Sequence, residues 1–320
     1  MGWESGAERT LITGATGFVG SRVLERWLDR GRRVRALVRD PAALPDVDTV
    51  VGDLRDQASL AEAVAGAEVV VHCAVDESDD PEQARAVNEG GTRALAEAAW
   101  AAGCRRFVHI STCGAYALEG LEVVTDDTPL WSEDRADELL YGATKAMAER
   151  SLQDVASRGL GVVILRPPNI LGAHPRSVFC TELPTRLRDG TVGYSGDGGN
   201  TWPYVHVDNL VDVIEQAVDR EVPAGRAYTV VDGHTTWRAF LEDHAVWFGV
   251  AVPSREPRSL YDDFRGRFTT DRARAELGYR PRRSYADALT DTRRWLVQQG
   301  LLPGRDADDE VEDAHVPPYP

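Results

Sequence analysis

Positive charge is scarce in this chain: among 320 residues, 36 Lys and Arg stand against 52 Asp and Glu, a formal charge of −16. Affinity for nucleic acid comes from cations that neutralise phosphates, so a nucleic-acid partner is not expected. Long apolar runs are missing too, and nothing approaches the roughly 20 apolar residues that span a bilayer. Met1 to Arg9 carries two Glu and no apolar stretch, unlike a secretory signal. Cysteines number only four, Cys73, Cys104, Cys113 and Cys180, without C-x-x-C pairing or zinc spacing. These shortages together point to a cytoplasmic protein with reduced thiols, no metal and no membrane partner. What remains is ordinary globular composition, 42% hydrophobic and 28% charged, enough to bury a sizeable core.

Hydrophobic patterning predicts strands at Arg9 to Thr13, Arg33 to Val38, Thr49 to Val51, Glu68 to Cys73, Arg106 to Ser111, Val162 to Arg166 and Ala227 to Val231. Helical patterns fall between them, at about 56 to 65, 81 to 102 and 139 to 157, and from a cap at Asp208 to about Asp219. Such alternation specifies an α/β fold, a Rossmann-type doubly wound parallel sheet with a smaller C-terminal substrate-binding lobe. The expected division is a dinucleotide-binding domain over 9–171 and a lobe over 172–304, with 203–231 returning to the sheet. An acidic, Pro-rich tail follows over 305–320 and is expected to be loosely held. The Gly-rich, aromatic-bearing stretch from Gly172 to Tyr204 reads as a binding region rather than a spacer.

The first predicted strand runs into Thr13-Gly14-Ala15-Thr16-Gly17-Phe18-Val19-Gly20, and a helix follows. Glycines in that context permit a tight turn and let backbone approach a pyrophosphate, while the helix N-terminus offers N–H donors. Gly14, Thr16, Gly17, Phe18, Val19 and Gly20 are therefore candidate cofactor-binding residues. An acid at the end of the second strand would mark NAD, by bonding the ribose 2′-OH. Here Val34-Arg35-Ala36-Leu37-Val38 is followed by Arg39, which suits a 2′-phosphate, so NADP(H) is preferred and NAD(H) remains an alternative. The opposing reading is a solvated Arg39 neutralised by Asp40. Asp53, after the third strand, either accepts from the adenine amino group or simply caps a turn.

Tyr141 and Lys145 are four apart on a predicted helix and share a face. A phenol is a poor acid–base group at neutral pH unless a neighbouring cation favours its ionised form. Alone the pair is unremarkable as a surface feature, but Ser111 and Thr112 end the preceding strand, at the sheet edge where α/β folds bind ligands. A hydroxyl there can hold a carbonyl while Tyr141 donates.

With these motifs assembled, the chain over about 9 to 300 resembles the extended short-chain dehydrogenase/reductase family, including its NAD-dependent epimerase/dehydratase group and dihydroflavonol-reductase-like NADP-using branch. The resemblance rests on the glycine run, Gly52-Asp53-Leu54, Val71-His72-Cys73-Ala74, Asn88 through Gly91-Thr92, Ser111-Thr112 and Tyr141 to Lys145. It extends through Arg166-Pro167-Pro168-Asn169-Ile170-Leu171-Gly172, Tyr204 to Asp208 and Leu277 to Pro281. It implies that Tyr141 is the general acid/base, that Lys145 lowers its pKa and bonds the nicotinamide ribose, and that Thr112, four residues before Tyr116, is the catalytic hydroxyl. It also implies cofactor contacts at Leu54, Ala74 and Pro168.

Two departures narrow the reaction. Family dehydratases place Asp-Glu after the catalytic Thr, where this chain has Cys113-Gly114. Nucleotide-sugar enzymes often carry an Arg before the aromatic matching Tyr204, where this chain has Trp202-Pro203, although Arg267 could still serve a phosphate. The substrate pocket is expected to draw on Ser111, Tyr116, Asn169, His174, Phe179, Cys180, Tyr194, Trp202 and Tyr204, with His174 a candidate second acid/base. The leading expectation is an NADP(H)-dependent reductase or dehydrogenase of a ketone, aldehyde or secondary alcohol on a small organic substrate. A nucleotide-sugar epimerase or 4-ketoreductase is the alternative, and a non-catalytic dinucleotide sensor a further one. A homodimer through helices 81–102 and 139–157 is compatible with the family.

Overall fold

The computed structural model describes residues 8–132, 135, 139–194, 196–254 and 261–303; the acidic tail lies outside the described residues. In chain order the elements are β1 (Arg9–Thr13), α1 (Phe18–Asp29), β2 (Arg33–Val38), β3 (Asp48–Val51), α2 (Gln57–Val64), β4 (Val69–His72), α3 (Pro81–Ala84), α4 (Thr92–Ala101), β5 (Arg106–Ile110), β6 (Val123–Val124), α5 (Leu140–Ser157) and β7 (Gly161–Arg166). Then come β8 (Asn169–Leu171), α6 (Leu183–Arg188), β9 (Thr201–His206), α7 (Val207–Asp219), β10 (Arg226–Thr229), β11 (Gly233–Thr236), α8 (Trp237–Phe248), β12 (Arg267–Phe268) and α9 (Tyr285–Gln298).

Seven strands form one parallel sheet in the order β10-β7-β5-β4-β1-β2-β3. Its strands read as near-continuous apolar runs because helices cover both faces. Alternate residues feed two cores. Val108 and Ile110 of β5 join Val23 and Trp27 of α1 and Leu210 and Ile214 of α7 on one side, while Phe107 joins Leu95 of α4 and Leu152 of α5 on the other. The chain order reverses between β1 and β4, so the strand ends open a crevice there, the usual ligand position in such sheets.

Three local differences from the sequence reading have physical causes. The long helix predicted over 81–102 is interrupted by a π-helical stretch, Arg85–Gly91, where a Cβ on Gly91 would stand 2.7 Å from Leu54 Cβ. Asp208 is not the cap of α7; His206 is, its Nδ1 accepting from Asp208 N at 3.1 Å, and the Asp208 carboxylate instead takes Arg22 and Arg26 of α1. Within 203–231, β10 joins the central sheet and α7 packs on it, but β9 belongs to a separate small sheet ordered β11-β9-β8.

Helix α5 is fixed to the strand ends by a buried ion pair. Arg166, closing β7, donates through Nε and Nη2 to both oxygens of Glu149 at 2.6–3.1 Å, with side chains only 7% and 2% exposed. Ser111, after β5, donates to the same carboxylate at 2.5 Å. Burying both charges is costly, so the pair adds little net stability relative to apolar packing, but removing one partner strands the other. Glu149→Gln is therefore expected to lower unfolding free energy by about 3–5 kcal/mol, against about 1 kcal/mol for Ser111→Ala, in urea denaturation. A loss below about 1 kcal/mol in Glu149→Gln would show that the pair does not anchor the helix.

Candidate functional site

One long cavity of about 990 Å³ runs along the carboxyl ends of the strands. At one end it is walled by the turn after β1. Gly14 takes a left-handed backbone (φ 69°), and a Cβ there would lie 2.6 Å from Ala74 N, so the crevice between β1 and β4 closes only over glycine. Gly20 is equally constrained, since its Cβ would stand 2.2 Å from Gly14 O. Helix α1 begins at Phe18 with Gly17 as N-cap, no side chain caps it and no acid occupies its first turn. Its first N–H groups thus face the cavity ready for an anion. Gly14, Thr16, Gly17, Phe18, Val19, Gly20, Arg39, Asp53, Leu54, Ala74 and Pro168 all line this cavity. The fit to a dinucleotide rests on the uncapped helix and the glycine-only approach, both properties of the backbone itself.

Arg39 makes no ion pair among the described residues; Asp40 caps the turn at Pro41–Ala43, its carboxylate accepting from Ala42 N at 2.9 Å, and the Arg39 charge acts on Asp53 and Asp76. Asp53 is held by Arg55 through two bonds of 2.8 and 2.9 Å, which lower its carboxyl to about pKa 2. Arg55, not foreseen from the sequence, therefore brings a second guanidinium to the Arg39 end of the cavity. The Asp53-x-Arg55 spacing was the available signal.

At the middle of the cavity α5 presents Tyr141 and Lys145 on one face, with Glu149 continuing the row at the next helical repeat. Close packing of the helix start depends on Gly142, whose Cβ would meet Gly114 O at 2.2 Å. Tyr141 is 39% exposed, with that surface turned to the cavity. Burial among the cavity walls, with the Glu77 carboxylate and Tyr261, pushes its phenol above the usual range rather than below it. Lys145 does not offset this: its ammonium is buried and donates to Ile110 O at 2.7 Å. Desolvation lowers Lys145 to about pKa 8. Beneath it His72 and His109 stack at 5.2 Å and are both pushed far down, by burial and then by the Lys145 charge, so they stay neutral. Asn88 ties the loop after β4 to α5, donating to Asp76 O at 2.8 Å and to Thr144 Oγ1 at 3.2 Å.

The two candidate hydroxyls separate cleanly. Ser111 borders the cavity but spends its proton on Glu149. Thr112 Oγ1 accepts from Gly114 N at 3.0 Å, which leaves its O–H to donate into the cavity. Asn169 and Trp202 also line the cavity, as does Phe179, while Asn169 uses its amide N–H on Pro203 O at 2.8 Å.

Five expected pocket residues are placed elsewhere. Tyr116 is fully buried, its hydroxyl receiving Arg166 Nη1 at 2.8 Å and paired with Thr229 at 2.7 Å, so it supports the ion pair rather than a ligand. His174 stacks on Phe18 at 5.3 Å and pairs with Ser21 at 3.4 Å, behind the cavity wall. The Tyr194 ring lies under the Arg238 guanidinium at 4.6 Å. Tyr204 packs on Tyr285 at 4.9 Å, and Cys180 is sealed in the same apolar cluster, its thiol accepting from Gly172 N. Each has the residue type of a pocket group, but a tertiary partner takes its polar atoms or its face.

Crevice, uncapped helix and Tyr–Lys helix together define a dinucleotide-binding enzyme of the extended short-chain dehydrogenase/reductase kind. The chain belongs to the NAD-dependent epimerase/dehydratase family, whose family model matches residues 10–230. A 3-diazoavenalumate denitrifying reductase from Streptomyces sp is 33% identical, covering 88% of this chain and 99% of that protein. Sterol demethylase protein B from Methylococcus capsulatus is 31% identical over 92% and 99% of the two chains. Among solved structures, a dTDP-glucose 4,6-dehydratase from Streptomyces venezuelae with NAD bound has a TM-score of 0.79 at 28% identity, covering 92% of this chain and 99% of its own. The protein is thus an NAD(P)-dependent enzyme, and no helix among its described residues is long and apolar enough to cross a membrane.

Lys145 is the only lysine among the chain's 36 Lys and Arg, so a protein labelled with 15Nζ-lysine gives one side-chain amine resonance. That resonance is expected to titrate near pH 8, and a midpoint near the ordinary lysine value of about 10.4 would refute burial of the ammonium. The folded value lies below the unfolded one, so between about pH 8 and 10.4 the unfolded chain binds the proton and the folded protein does not. Lys145 thus makes stability rise with pH across that window, a slope absent from Lys145→Met.

Proposed function

We propose that the protein is an NADP(H)-dependent reductase or dehydrogenase acting on a ketone, aldehyde or secondary alcohol. The observation that carries the reaction is the pairing of a proton-bearing Thr112 with Tyr141 on the same cavity. When bound, the nicotinamide supplies or accepts the hydride. Thr112 donates to the substrate oxygen and holds it in place. Tyr141, a neutral phenol at neutral pH, passes its proton to that oxygen in the reducing direction and takes it back in the oxidising one. Lys145, anchored on Ile110 O, supplies a cation at the base of Tyr141's helix face and an N–H to the cofactor ribose. The ion pair of Arg166 with Glu149 keeps this face in register with the strand ends.

The phosphate preference rests on Arg39, whose neighbour Asp40 is turned to Ala42 N, while Arg55 on the same wall is paired with Asp53. Dehydration is disfavoured by Cys113, which is buried with its thiol on Arg166 O at 3.2 Å and carries no acid–base group into the cavity. A nucleotide-sugar epimerase or 4-ketoreductase is the competing reading, favoured by 30% identity to a UDP-glucose 4-epimerase from Vibrio cholerae over 70% of each chain.

Tyr141→Phe should lower kcat by at least about 100-fold while NADPH binding, followed by nicotinamide fluorescence, is retained; full turnover in that variant would remove Tyr141 from the proton path. Thr112→Val should fall comparably, whereas Ser111→Ala should act mainly on stability. Arg39→Ala should weaken NADPH by about 10-fold or more and leave NADH nearly unchanged. An equal loss for both cofactors would reverse the assignment of the phosphate site.

A further inference from the structure

Beyond Thr112 and Tyr141 the cavity wall carries five Phe and Trp rings, interspersed with polar residues and supplied by two separate buried clusters. Phe264 and Phe268, rings 5.5 Å apart, belong to the cluster that also holds Cys113, next in sequence to Thr112. Phe179, Trp202 and Trp237 belong to the other, with Phe179 edge-on to Trp202 at 5.2 Å and Trp237 6.1 Å from Trp202. The clusters are joined where Thr201 N donates to Phe264 O at 2.8 Å, and all five rings border the cavity. Trp237 spends its indole N–H on Gly193 O at 3.2 Å, so toward a ligand it presents ring surface rather than a donor. Among the described lining residues the arginines are Arg39 and Arg55, in the cofactor half, and Arg176, in the loop that packs on α1.

A wall of this kind rewards flat apolar surface through stacking and edge contacts and gives little to a diphosphate, which needs forked cations. Asn200, 7% exposed, borders the same region together with Thr201, Tyr261 and Asp262, so polar groups stand beside the rings to orient a ligand. We infer that the substrate is an uncharged, planar, ring-bearing carbonyl compound or its alcohol, seated on the Phe179–Trp202–Trp237 and Phe264–Phe268 surfaces, and not a nucleoside-diphosphate sugar. This rests on the carbonyl-reductase reading and adds the chemical class that the wall selects.

The test is binding first and turnover second, on NADPH-loaded protein titrated calorimetrically with 2-acetylnaphthalene, with 2-decanone as an acyclic ketone of similar apolar size, and with UDP-glucose. The naphthyl ketone is expected to bind at least about ten-fold more tightly than either competitor. Trp237→Leu should weaken it by about ten-fold, and Trp237→Phe, which keeps a ring, by no more than about three-fold. Equal or tighter binding of 2-decanone or UDP-glucose, absence of naphthyl-ketone binding, or equal losses in the two Trp237 variants would each overturn the substrate class. Binding is read in Tyr141→Phe as well, where no proton transfer is needed. Tight ring-selective binding without NADPH oxidation by the wild-type protein would uphold the substrate class and defeat the reductase reading, so the two fail separately.

Discussion

The catalytic geometry depends on one buried charge pair, Arg166 with Glu149. Helix α5 carries its polar face as a row, Tyr141, Lys145 and Glu149, each one helical repeat from the next; Lys145 bonds Ile110 O of β5, and Glu149 forms an ion pair with Arg166 of β7. Arg166 ends β7, and Ser111 ends β5, so two neighbouring strands grip one carboxylate. A buried pair of this sort contributes little to stability compared with apolar side chains of equal volume, but its directional bonds fix register in a way that oily packing does not. The helix cannot slide or rotate without breaking several short bonds in a dry interior. Tyr116, Asp126 and Thr229 complete the shell around Arg166, which extends this constraint to β10 at the sheet edge.

The cofactor half of the cavity has a different physical origin. There the constraint is steric: reversal of strand order between β1 and β4 leaves a crevice, and glycine backbone keeps it narrow enough for peptide N–H groups to meet an anion. Charge then discriminates at its far end. Asp53 is paired with Arg55, while Arg39, which faces both Asp53 and Asp76, and the uncapped N-terminus of α1 supply the groups that can meet an anion there. An overall charge of −16 thus coexists with a cavity lining in which Arg39, Arg55, Lys145 and Arg176 are matched by Asp53, Asp76, Glu77 and Asp262.

Much of this was legible before any coordinates. Patterning placed all seven sheet strands within a few residues: the central β4, β5 and β7, buried along nearly all their length, read as mainly apolar runs, and the others were marked by β-branched residues alternating with helical segments. The glycine turn and the Tyr141–Lys145 spacing were legible because they are local. What sequence could not resolve was which polar side chains were already committed. Tyr116 and His174 look like pocket residues until Arg166 and Phe18 are seen to claim them, and these partners lie 50 and 156 positions away. Spacing to Tyr116 pointed to Thr112 over Ser111 only through the family resemblance; the long-range bond of Ser111 to Glu149 gives the physical difference between them. The π-helical stretch at Arg85–Gly91 escaped as well; its last residue, Gly91, lies against Leu54, a long-range contact that helical periodicity does not report.

One compositional signal did carry tertiary information. The chain uses arginine almost everywhere a cation is needed, on the surface, in the Glu149 pair and beside the cofactor crevice, yet it keeps its single lysine at Lys145. A guanidinium is planar, forked and permanently charged, which suits carboxylates and phosphates but not a compact buried spot beneath a tyrosine. An ammonium fits against one carbonyl, Ile110 O at 2.7 Å, and its pKa can move. Burial brings it to about 8, close enough to neutrality that proton gain and loss there are both accessible, which arginine cannot offer. Retention of lysine at this one position is what the chemistry of the site demands in a protein otherwise built with arginine.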